Sequence, residues 1–262
     1  MPKLSEHHSS SFAKIMYIGD SSTGKTGSLT SLVAAGYKLR IIDLDNGLDP
    51  LVAFVRKECP DKIGNVEFES LRDNYKATMQ GPIISGSPKA FTAALALMTK
   101  WSDGTAPCDW GDKTILVIDS FTALGRAALA WAEGMNPTAK DKRNWFFMAQ
   151  QKLEVTLAML TSESFKANVI IISHVKYEED GQGLAKGYIS AVGSALGPII
   201  PSYFNTIVLA QSQGNGKNVK RTITTIPTAM IDLKNSAPFK IDQTLPLETG
   251  LATLFEKLKE TV

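Results

Sequence analysis

GDSSTGKT, residues 19–26, is the most informative segment of the chain. It fits the pattern G-x-x-x-x-G-K-[ST] at every fixed position. The apolar run KIMYIG (residues 14–19) precedes it as a buried strand, and GSLTSLVAAG (residues 27–36) follows it as a helix. In this arrangement, backbone N–H groups of the glycine-rich turn and the helix N-terminus surround phosphate oxygens. The sequence therefore predicts a phosphate-binding loop and not a chance glycine-rich turn.

The loop also predicts which residues hold a nucleotide. Lys25 supplies a point charge for the β- and γ-phosphates, and the Thr26 hydroxyl can ligate Mg²⁺, so ATP and Mg²⁺ are the expected cofactors. The predicted nucleotide-binding residues of this segment are Gly19, Asp20, Ser21, Ser22, Thr23, Gly24, Lys25, Thr26 and Gly27.

The segments around the loop predict an α/β fold. KLRIIDLD (residues 38–45), KTILVIDS (113–120) and ANVIIISH (167–174) are further apolar runs typical of buried parallel strands, and helical patterns separate them. This alternation predicts a mostly parallel central sheet flanked by helices. The β-branched segments after residue 202 predict antiparallel edge strands near the C-terminus.

We expect one domain over residues 13–262, preceded by a flexible tail over residues 1–12. Turn-forming residues predict an irregular insertion around residues 60–112. The glycine-rich stretch over residues 176–202 is predicted to be a mobile loop.

Composition excludes several classes of protein. The 262 residues carry 28 basic and 26 acidic side chains, and a net charge of +2 favours no strongly charged partner. Cys59 and Cys108 do not make a disulfide framework, and we expect two reduced thiols. The polar start MPKLSEHHSS lacks the apolar centre of a secretion signal, and the longest uncharged stretch (187–216) is interrupted by glycine and proline. We therefore expect an intracellular protein with no membrane partner.

Acidic and polar residues follow the predicted strands. Asp119 ends an apolar strand and is predicted to complete the Mg²⁺ site; the alternative is a helix N-cap. Asp43 and Asp45 end another strand and point to one face because side chains alternate. Asp45 lies nearer the loop and is favoured to orient the attacking water, while Asp43 supports the site or caps a turn. His174 either senses the γ-phosphate or is a hydrogen-bonded histidine at a strand end.

Four segments, in order, resemble the core of RecA-like recombinases. IIDLDNGLDPLVAF (41–54) resembles the segment with the catalytic acid, LVIDSFTAL (116–124) the Walker B strand, and NVIIISH (168–174) the strand that ends in the phosphate-sensing residue. DLKNSAPFK (232–240) resembles the late strand whose lysines reach a neighbouring subunit's ATP. The resemblance spans residues 13–245, and the plan is similar to that of short phage RecA-like ATPases that promote single-strand annealing.

The resemblance implies roles for further residues. Asp45 stands where the family carries a glutamate, Asp49 is kept beside the nucleotide, and Val52 stands where the family has an aromatic residue that packs on adenine. Lys234 is the kept lysine of the late pair, with Ser236 at the other position. Lys234 is therefore expected to reach a neighbour's γ-phosphate.

Two segments stand where the family binds DNA, residues 131–146 and 176–201. Cations and aromatic rings suit a single-stranded backbone and its bases. The implied DNA-binding residues are Lys140, Lys142, Arg143, Trp145, Lys176, Lys186 and Tyr188.

The resemblance thus implies an ATPase that binds single-stranded DNA and promotes annealing or homologous recombination. Its implied partners are single-stranded DNA, further copies of itself in a filament or ring, and a single-strand-binding protein, in the cytoplasm of a bacterial or phage-infected cell. The implied catalytic residues are Lys25, Asp45, His174 and Lys234.

Two other interpretations remain open, a RecA-fold ATPase that acts on a protein partner and a small-molecule kinase. A kinase is expected to carry an arginine-rich lid, but residues 121–145 hold only Arg126 and Arg143. Asp45 also favours transfer to water over transfer to a substrate. Stimulation of ATP turnover by single-stranded DNA would distinguish the three.

Overall fold

The structure is a computed structural model. It describes residues 12–179, 183, 185–215 and 218–259. The tail predicted over residues 1–12 therefore lies outside the described residues except for Phe12.

The strands follow one another in chain order, and most belong to one sheet. They are β1 (Lys14–Gly19), β2 (Lys38–Asp43), β3 (Val66–Ser70), β4 (Tyr75–Lys76), β5 (Ile83–Ile84), β6 (Gly111–Asp119), β7 (Ala167–Ser173), β8 (Val175–Glu179), β9 (Ala185–Ile189), β10 (Thr206–Gln213), β11 (Lys220–Thr224) and β12 (Thr244–Pro246).

The helices cover both faces of that sheet. They are α1 (Lys25–Ser28), α2 (Thr30–Ala34), α3 (Asp49–Glu58), α4 (Ala90–Thr99), α5 (Phe121–Met135), α6 (Arg143–Thr161) and α7 (Leu247–Lys259). Short 3₁₀ segments lie at Pro60–Asn65, Pro107–Asp109 and Ile200–Tyr203. Within the part of the chain that the structure describes, none of the helices has the length and apolar character needed to cross a membrane.

Within the described residues, the main sheet has the order β12-β11-β10-β1-β7-β6-β2-β3. Neighbouring strands from β10 to β3 are parallel, whereas β10, β11 and β12 pair antiparallel. The predicted fold class is thus confirmed, a mostly parallel sheet flanked by helices with antiparallel strands near the C-terminus. Strand β7 separates β1, which enters the phosphate loop, from β6, which ends at Asp119.

The core explains why the strand sequences are continuous apolar runs. Met16 and Ile18 of β1 pack with α4, α5 and α6 on one face of the sheet. Ile15 and Tyr17 pack with α2, α3 and α7 on the other face. Because successive side chains of a strand point to opposite faces, a strand covered on both sides must be apolar at every position.

The structure differs from the sequence-based expectations in three segments. The prediction of a mobile loop over residues 176–202 is wrong in part, because β8 and β9 pair as an antiparallel hairpin with Lys176 opposite Tyr188. The region predicted as an irregular insertion contains β3, which extends the main sheet by pairing with β2. AMIDLKN (residues 229–235), one of the segments after residue 202 that the sequence predicts as edge strands, is not a strand and forms isolated bridges at Ile231 and Lys234.

Candidate nucleotide site

The phosphate loop joins β1 to a helix, as its sequence predicts. Gly24 precedes α1 with φ of 92°, a left-handed conformation that favours glycine. Leu29 has helical angles and continues α1 into α2, so the two short helices form one run. The glycine therefore lets the backbone turn sharply into the helix whose N-terminus faces the loop.

Lys25 is buried against the loop that it follows. Its Nζ donates hydrogen bonds of 2.7 Å each to the carbonyl oxygens of Gly19 and Asp20. Burial lowers the pKa of Lys25, and the negative charges of Asp119, Asp20 and Asp45 oppose that change. The ammonium group is thus held at the loop, within the field of three carboxylates.

Thr26 and Asp119 form a direct contact at the carboxyl edge of the sheet. Thr26 Oγ1 donates a 2.7 Å hydrogen bond to Asp119 Oδ2. The helix N-cap role belongs to the next residue, since Ser120 Oγ accepts from the backbone N–H of Ala123 at 3.2 Å. Burial raises the pKa of Asp119 to about 6, and the Thr26 hydrogen bond opposes this rise.

The Thr26–Asp119 pair fits a magnesium ion. A hydroxyl and a carboxylate supply the oxygen ligands that Mg²⁺ prefers, and this ion usually keeps several waters and phosphate oxygens as further ligands. Among the residues that the structure describes, no group of three or more His, Cys, Asp or Glu side chains is placed to hold a metal ion. The pair thus offers two oxygen ligands to an ion whose other ligands are waters and phosphate oxygens.

Asp43 and Asp45 have different surroundings. Strand β2 ends at Asp43, so the strand alternation that predicted a shared face does not reach Asp45. Asp43 is buried; its Oδ1 accepts from the backbone N–H of Asn46 at 2.7 Å, and its Oδ2 accepts from Ser70 Oγ at 3.0 Å. These contacts make Asp43 a turn-capping residue that joins β2 to β3.

The Asp45 side chain is partly exposed, at 27%. Its Oδ1 lies 3.5 Å from Arg126 Nη2 on α5, and Arg72 Nη2 donates to its backbone carbonyl oxygen. Two arginines from distant parts of the sequence therefore contact Asp45, one at its carboxylate and one at its backbone carbonyl.

His174 follows β7, whose residue Ser173 pairs with Ile18 directly before the phosphate loop. Its backbone N–H donates to Thr122 Oγ1 at 3.1 Å, and its carbonyl accepts from the N–H of Ser190 at 2.8 Å. Burial, with the nearby positive charge of Lys25, lowers the pKa of His174. Burial and Lys25 thus favour the neutral imidazole, and the His174 backbone joins the end of β7 to Thr122 and Ser190.

The other residues implied by the resemblance lie on α3 and on the segment after β11. Asp49 is exposed in the first turn of α3, and Lys234 Nζ donates to the carbonyl of Pro201 at 2.6 Å within its own chain. Val52 is half-buried, whereas the exposed aromatic ring of α3 is Phe54.

Three residues near the nucleotide site were missed by the sequence analysis. A Cβ at Gly27 would lie 3.0 Å from the Phe54 ring, and a Cβ at Gly24 would lie 3.9 Å from Arg221 Nε. Arg72 was missed because it follows β3, a strand that the sequence did not reveal. Phe54 could have been found, since it lies inside the segment that was compared with the recombinases.

The first predicted DNA segment exposes cations but not its tryptophan. Lys140, Lys142 and Arg143 are exposed, and Arg143 pairs with Asp141 through a 2.7 Å contact. Trp145 is buried, and its Nε1 donates to the carbonyl of Asn136 at 2.8 Å. Its ring packs in the core and is not available for stacking on a base.

The next two residues of α6 carry exposed rings, Phe146 at the end of the predicted segment (39%) and Phe147 just beyond it (59%). The spacing of Trp145 to Ala149 and Leu153, four residues each, marks the buried face of the helix and could have shown this.

The second predicted DNA segment is the β8–β9 hairpin and the residues that follow it; residues 180–182 and 184 lie outside the described ones. Lys176 pairs with Glu178 at 2.8 Å, and Lys186 pairs with Asp232 at 2.9 Å. Tyr188 is half-buried, with the Lys186 ammonium 5.8 Å from its ring centroid. These two lysines are therefore partly neutralised by local carboxylates.

The two segments meet beside α6. Gln150 Nε2 donates to the carbonyl of Val192 at 3.0 Å. A Cβ at Gly193 would lie 3.6 Å from Phe146 Cδ1. The N-terminal part of α6 thus packs directly on the chain that follows the hairpin.

Comparison with known proteins gives one family match. A family model described as an AAA domain matches residues 11–237. No curated protein matches the sequence.

Solved structures with a similar fold include three proteins. The flagellar accessory protein FlaH from Methanocaldococcus jannaschii is 11% identical, with 91% of this chain and 87% of that chain covered and a TM-score of 0.41. A KaiC-like protein from Pyrococcus horikoshii is 12% identical, with 83% and 79% covered and a TM-score of 0.41. The RadB recombinase is 14% identical, with 81% and 80% covered and a TM-score of 0.44.

Proposed function

The chain belongs to the AAA domain family, and from this premise we propose that it is an ATPase that binds single-stranded DNA and promotes annealing or homologous recombination as an oligomer. The family match supports the coarser statement, a P-loop nucleoside triphosphatase. The DNA activity, the assembly and the cytoplasmic setting in a bacterial or phage-infected cell are the finer parts of the proposal.

The ATPase part of the proposal rests on the residues that meet at the carboxyl edge of the sheet. The loop N–H groups and Lys25 bind the phosphates, and Thr26 with Asp119 holds Mg²⁺. When bound, the metal ion offsets negative charge on the phosphate oxygens. Asp45, whose carboxylate lies 3.5 Å from Arg126 Nη2, orients the attacking water.

The single observation that carries the DNA part is the contact between the two cationic segments. Gln150 of α6 donates to the carbonyl of Val192, and a Cβ at Gly193 would lie 3.6 Å from Phe146 Cδ1, so the exposed Phe146 ring lies next to the chain that follows the hairpin. Exposed Lys142 and the exposed ring of Phe147 lie four residues before and one residue after Phe146. Cations for the phosphates and aromatic faces for the bases, placed on one surface, are what a single strand needs. The same hairpin begins after His174, which links this surface to the nucleotide site.

Assembly would use Lys234 and the nucleotide together. The Lys234 side chain is exposed and bonded to a backbone carbonyl, so it can exchange that partner for a phosphate of a neighbouring subunit. Such an exchange would make the interface between subunits depend on ATP.

The proposal is tested by steady-state ATP hydrolysis with Mg²⁺ at low salt, with and without single-stranded DNA, because phosphate contacts weaken steeply as salt rises. We expect DNA to stimulate turnover, Asp45→Asn to abolish turnover while ATP still binds, and Lys142→Gln to reduce the response to DNA. Lys57→Gln, which removes an exposed cation from α3, is the matched control. A rate of ATP hydrolysis that does not change when DNA is added would contradict the proposal and favour an ATPase that acts on a protein.

A further inference from the structure

A cavity of ≈ 270 Å³ lies beside Asp45 and is separate from the phosphate loop. It is formed by the chain after β2, the chain after β3, the start of the β4–β5 hairpin, the start of α4 and one face of α5. Its lining residues include Asp45, Arg72, Asp73, Tyr75, Arg126 and Ala127. Ligand pockets begin at about 300 Å³, so the cavity suits a single small unit.

The floor of the cavity is small and apolar. Ala123, Ala127 and Ala130 of α5 are spaced by four and three residues, which places them on one face of the helix. Leu44 and Leu71 complete the apolar part of the lining. A floor made of methyl groups leaves room for a flat ring to lie against the helix.

Two arginines supply the positive charge of the cavity. Arg126 is 72% exposed and reaches Asp45 Oδ1 at 3.5 Å, a long contact that an incoming anion can replace. Arg72 is also exposed and donates to the Asp45 carbonyl. The other acid, Asp73, accepts from the backbone N–H groups of Lys89 and Ala90 at 2.6 and 3.0 Å, so its charge is directed at the start of α4.

An aromatic ring lies at the mouth of the cavity. Tyr75 belongs to β4, lines the cavity and is 69% exposed. An exposed ring beside cations and a flat apolar floor is the combination that binds a base and its phosphate. Apolar ligands alone would not need the two arginines, and an anion alone would not need the ring.

We propose that this cavity binds one nucleotide unit, with its phosphate on Arg72 and Arg126 and its base between Tyr75 and the alanine face of α5. The shared chemistry is a base with a phosphate, supplied either by single-stranded DNA or by a free nucleoside monophosphate. Identification of the source as DNA rests on the proposed function.

The site also has a consequence for turnover. A phosphate that binds the Arg126 guanidinium replaces its contact with Asp45. The Asp45 carboxylate can then orient water at the phosphate loop. A nucleotide unit bound in the cavity would thus stimulate hydrolysis. The proposed DNA surface at Lys142, Phe146 and Phe147 would bind DNA without acting on Asp45 directly.

The experiment measures equilibrium binding of a fluorescent dT15 oligonucleotide and of dTMP to the full chain and its variants. Tyr75→Ala and Arg72→Gln remove exposed side chains, and Arg56→Gln removes an exposed arginine of α3 as the matched control. We expect each cavity variant to weaken binding about 10-fold, and Arg72→Gln to reduce the salt slope of log K by about 0.7. ATP binding by each variant checks that it is folded.

The outcomes separate this inference from the proposed function. If Tyr75→Ala and Arg72→Gln bind dT15 more weakly and the control Arg56→Gln does not, the result supports the site, with DNA as the source of the nucleotide unit. If the parent chain does not bind dT15 but binds dTMP, and Tyr75→Ala and Arg72→Gln weaken dTMP binding, the site is supported and the DNA proposal is contradicted. Unchanged binding of both probes in the variants, or no binding by the parent chain, overturns the site.

Discussion

Replacing Asp119 by Asn should stabilise the protein at neutral pH while removing a ligand of the proposed Mg²⁺ site. Asp119 is buried, and its pKa is raised from 3.8 to about 6 by burial, with the charges of Asp45 and Asp43 adding to the rise. At 1.36 kcal/mol per pKa unit, ionising Asp119 costs the folded state about 3 kcal/mol at pH 7. An asparagine keeps an oxygen that can accept from Thr26 Oγ1 and carries no charge.

The sign of the pH dependence follows from the direction of that pKa change. The folded state binds a proton at Asp119 more tightly than the unfolded chain, so the favourable contribution is complete below pH 3.8 and is lost as pH rises through about 6. Asp119→Asn should therefore gain up to about 3 kcal/mol in the free energy of unfolding at pH 7.5 relative to the parent, and much less at pH 4.5.

Urea unfolding of both proteins at the two pH values, in EDTA and without nucleotide, measures this difference. Asp61→Asn, at an exposed aspartate of the segment after α3, is the control against which the gain of Asp119→Asn is measured. A gain for Asp119→Asn that is equal at both pH values, or larger at pH 4.5, would refute the reasoning.

Four other substitutions test the site and the core. Lys25→Ala should lower ATP affinity about 100-fold, because a charged phosphate contact is lost, and isothermal titration with full affinity would contradict the loop assignment. Lys234→Ala should leave ATP binding by the monomer intact but reduce turnover of the assembled form; equal turnover in both would exclude the role across subunits. Gly24→Ala should lower the free energy of unfolding by about 1–2 kcal/mol, because φ is 92° and the new Cβ would lie 2.6 Å from Leu247 Cδ2. Phe255→Ala removes a fully buried ring and should cost about 3–5 kcal/mol in urea unfolding; a loss below about 1 kcal/mol would contradict its place in the core.

The sequence predicted the parts of the fold that depend on local pattern. Runs such as KIMYIG (14–19) and ANVIIISH (167–174) have too many consecutive apolar residues for an exposed strand, and each ends in a glycine or polar residue at the same edge of the sheet. The Thr26–Asp119 contact follows from this arrangement, since the carboxyl ends of parallel strands lie together.

Other features depend on contacts between distant residues. Strands β8 and β9 are short, rich in charge and glycine, and are recognised as strands because they pair with each other. Asp45 contacts Arg72 and Arg126, which lie 27 and 81 residues further along the chain, and no local pattern marks either one. The burial of Trp145, in contrast, could be read from the sequence, since its spacing to Ala149 and Leu153 marks the buried face of α6.

The hydrogen bonds of Lys25 and Thr26 bear on how nucleotide binding should be measured. Lys25 Nζ donates hydrogen bonds to two carbonyl oxygens, and Thr26 Oγ1 donates one to the Asp119 carboxylate. A phosphate or metal ion that binds these groups exchanges existing hydrogen bonds for new ones, so the heat released is a difference between two sets of contacts. Calorimetry should therefore give a modest binding enthalpy, with much of the affinity coming from released water and from charge neutralisation.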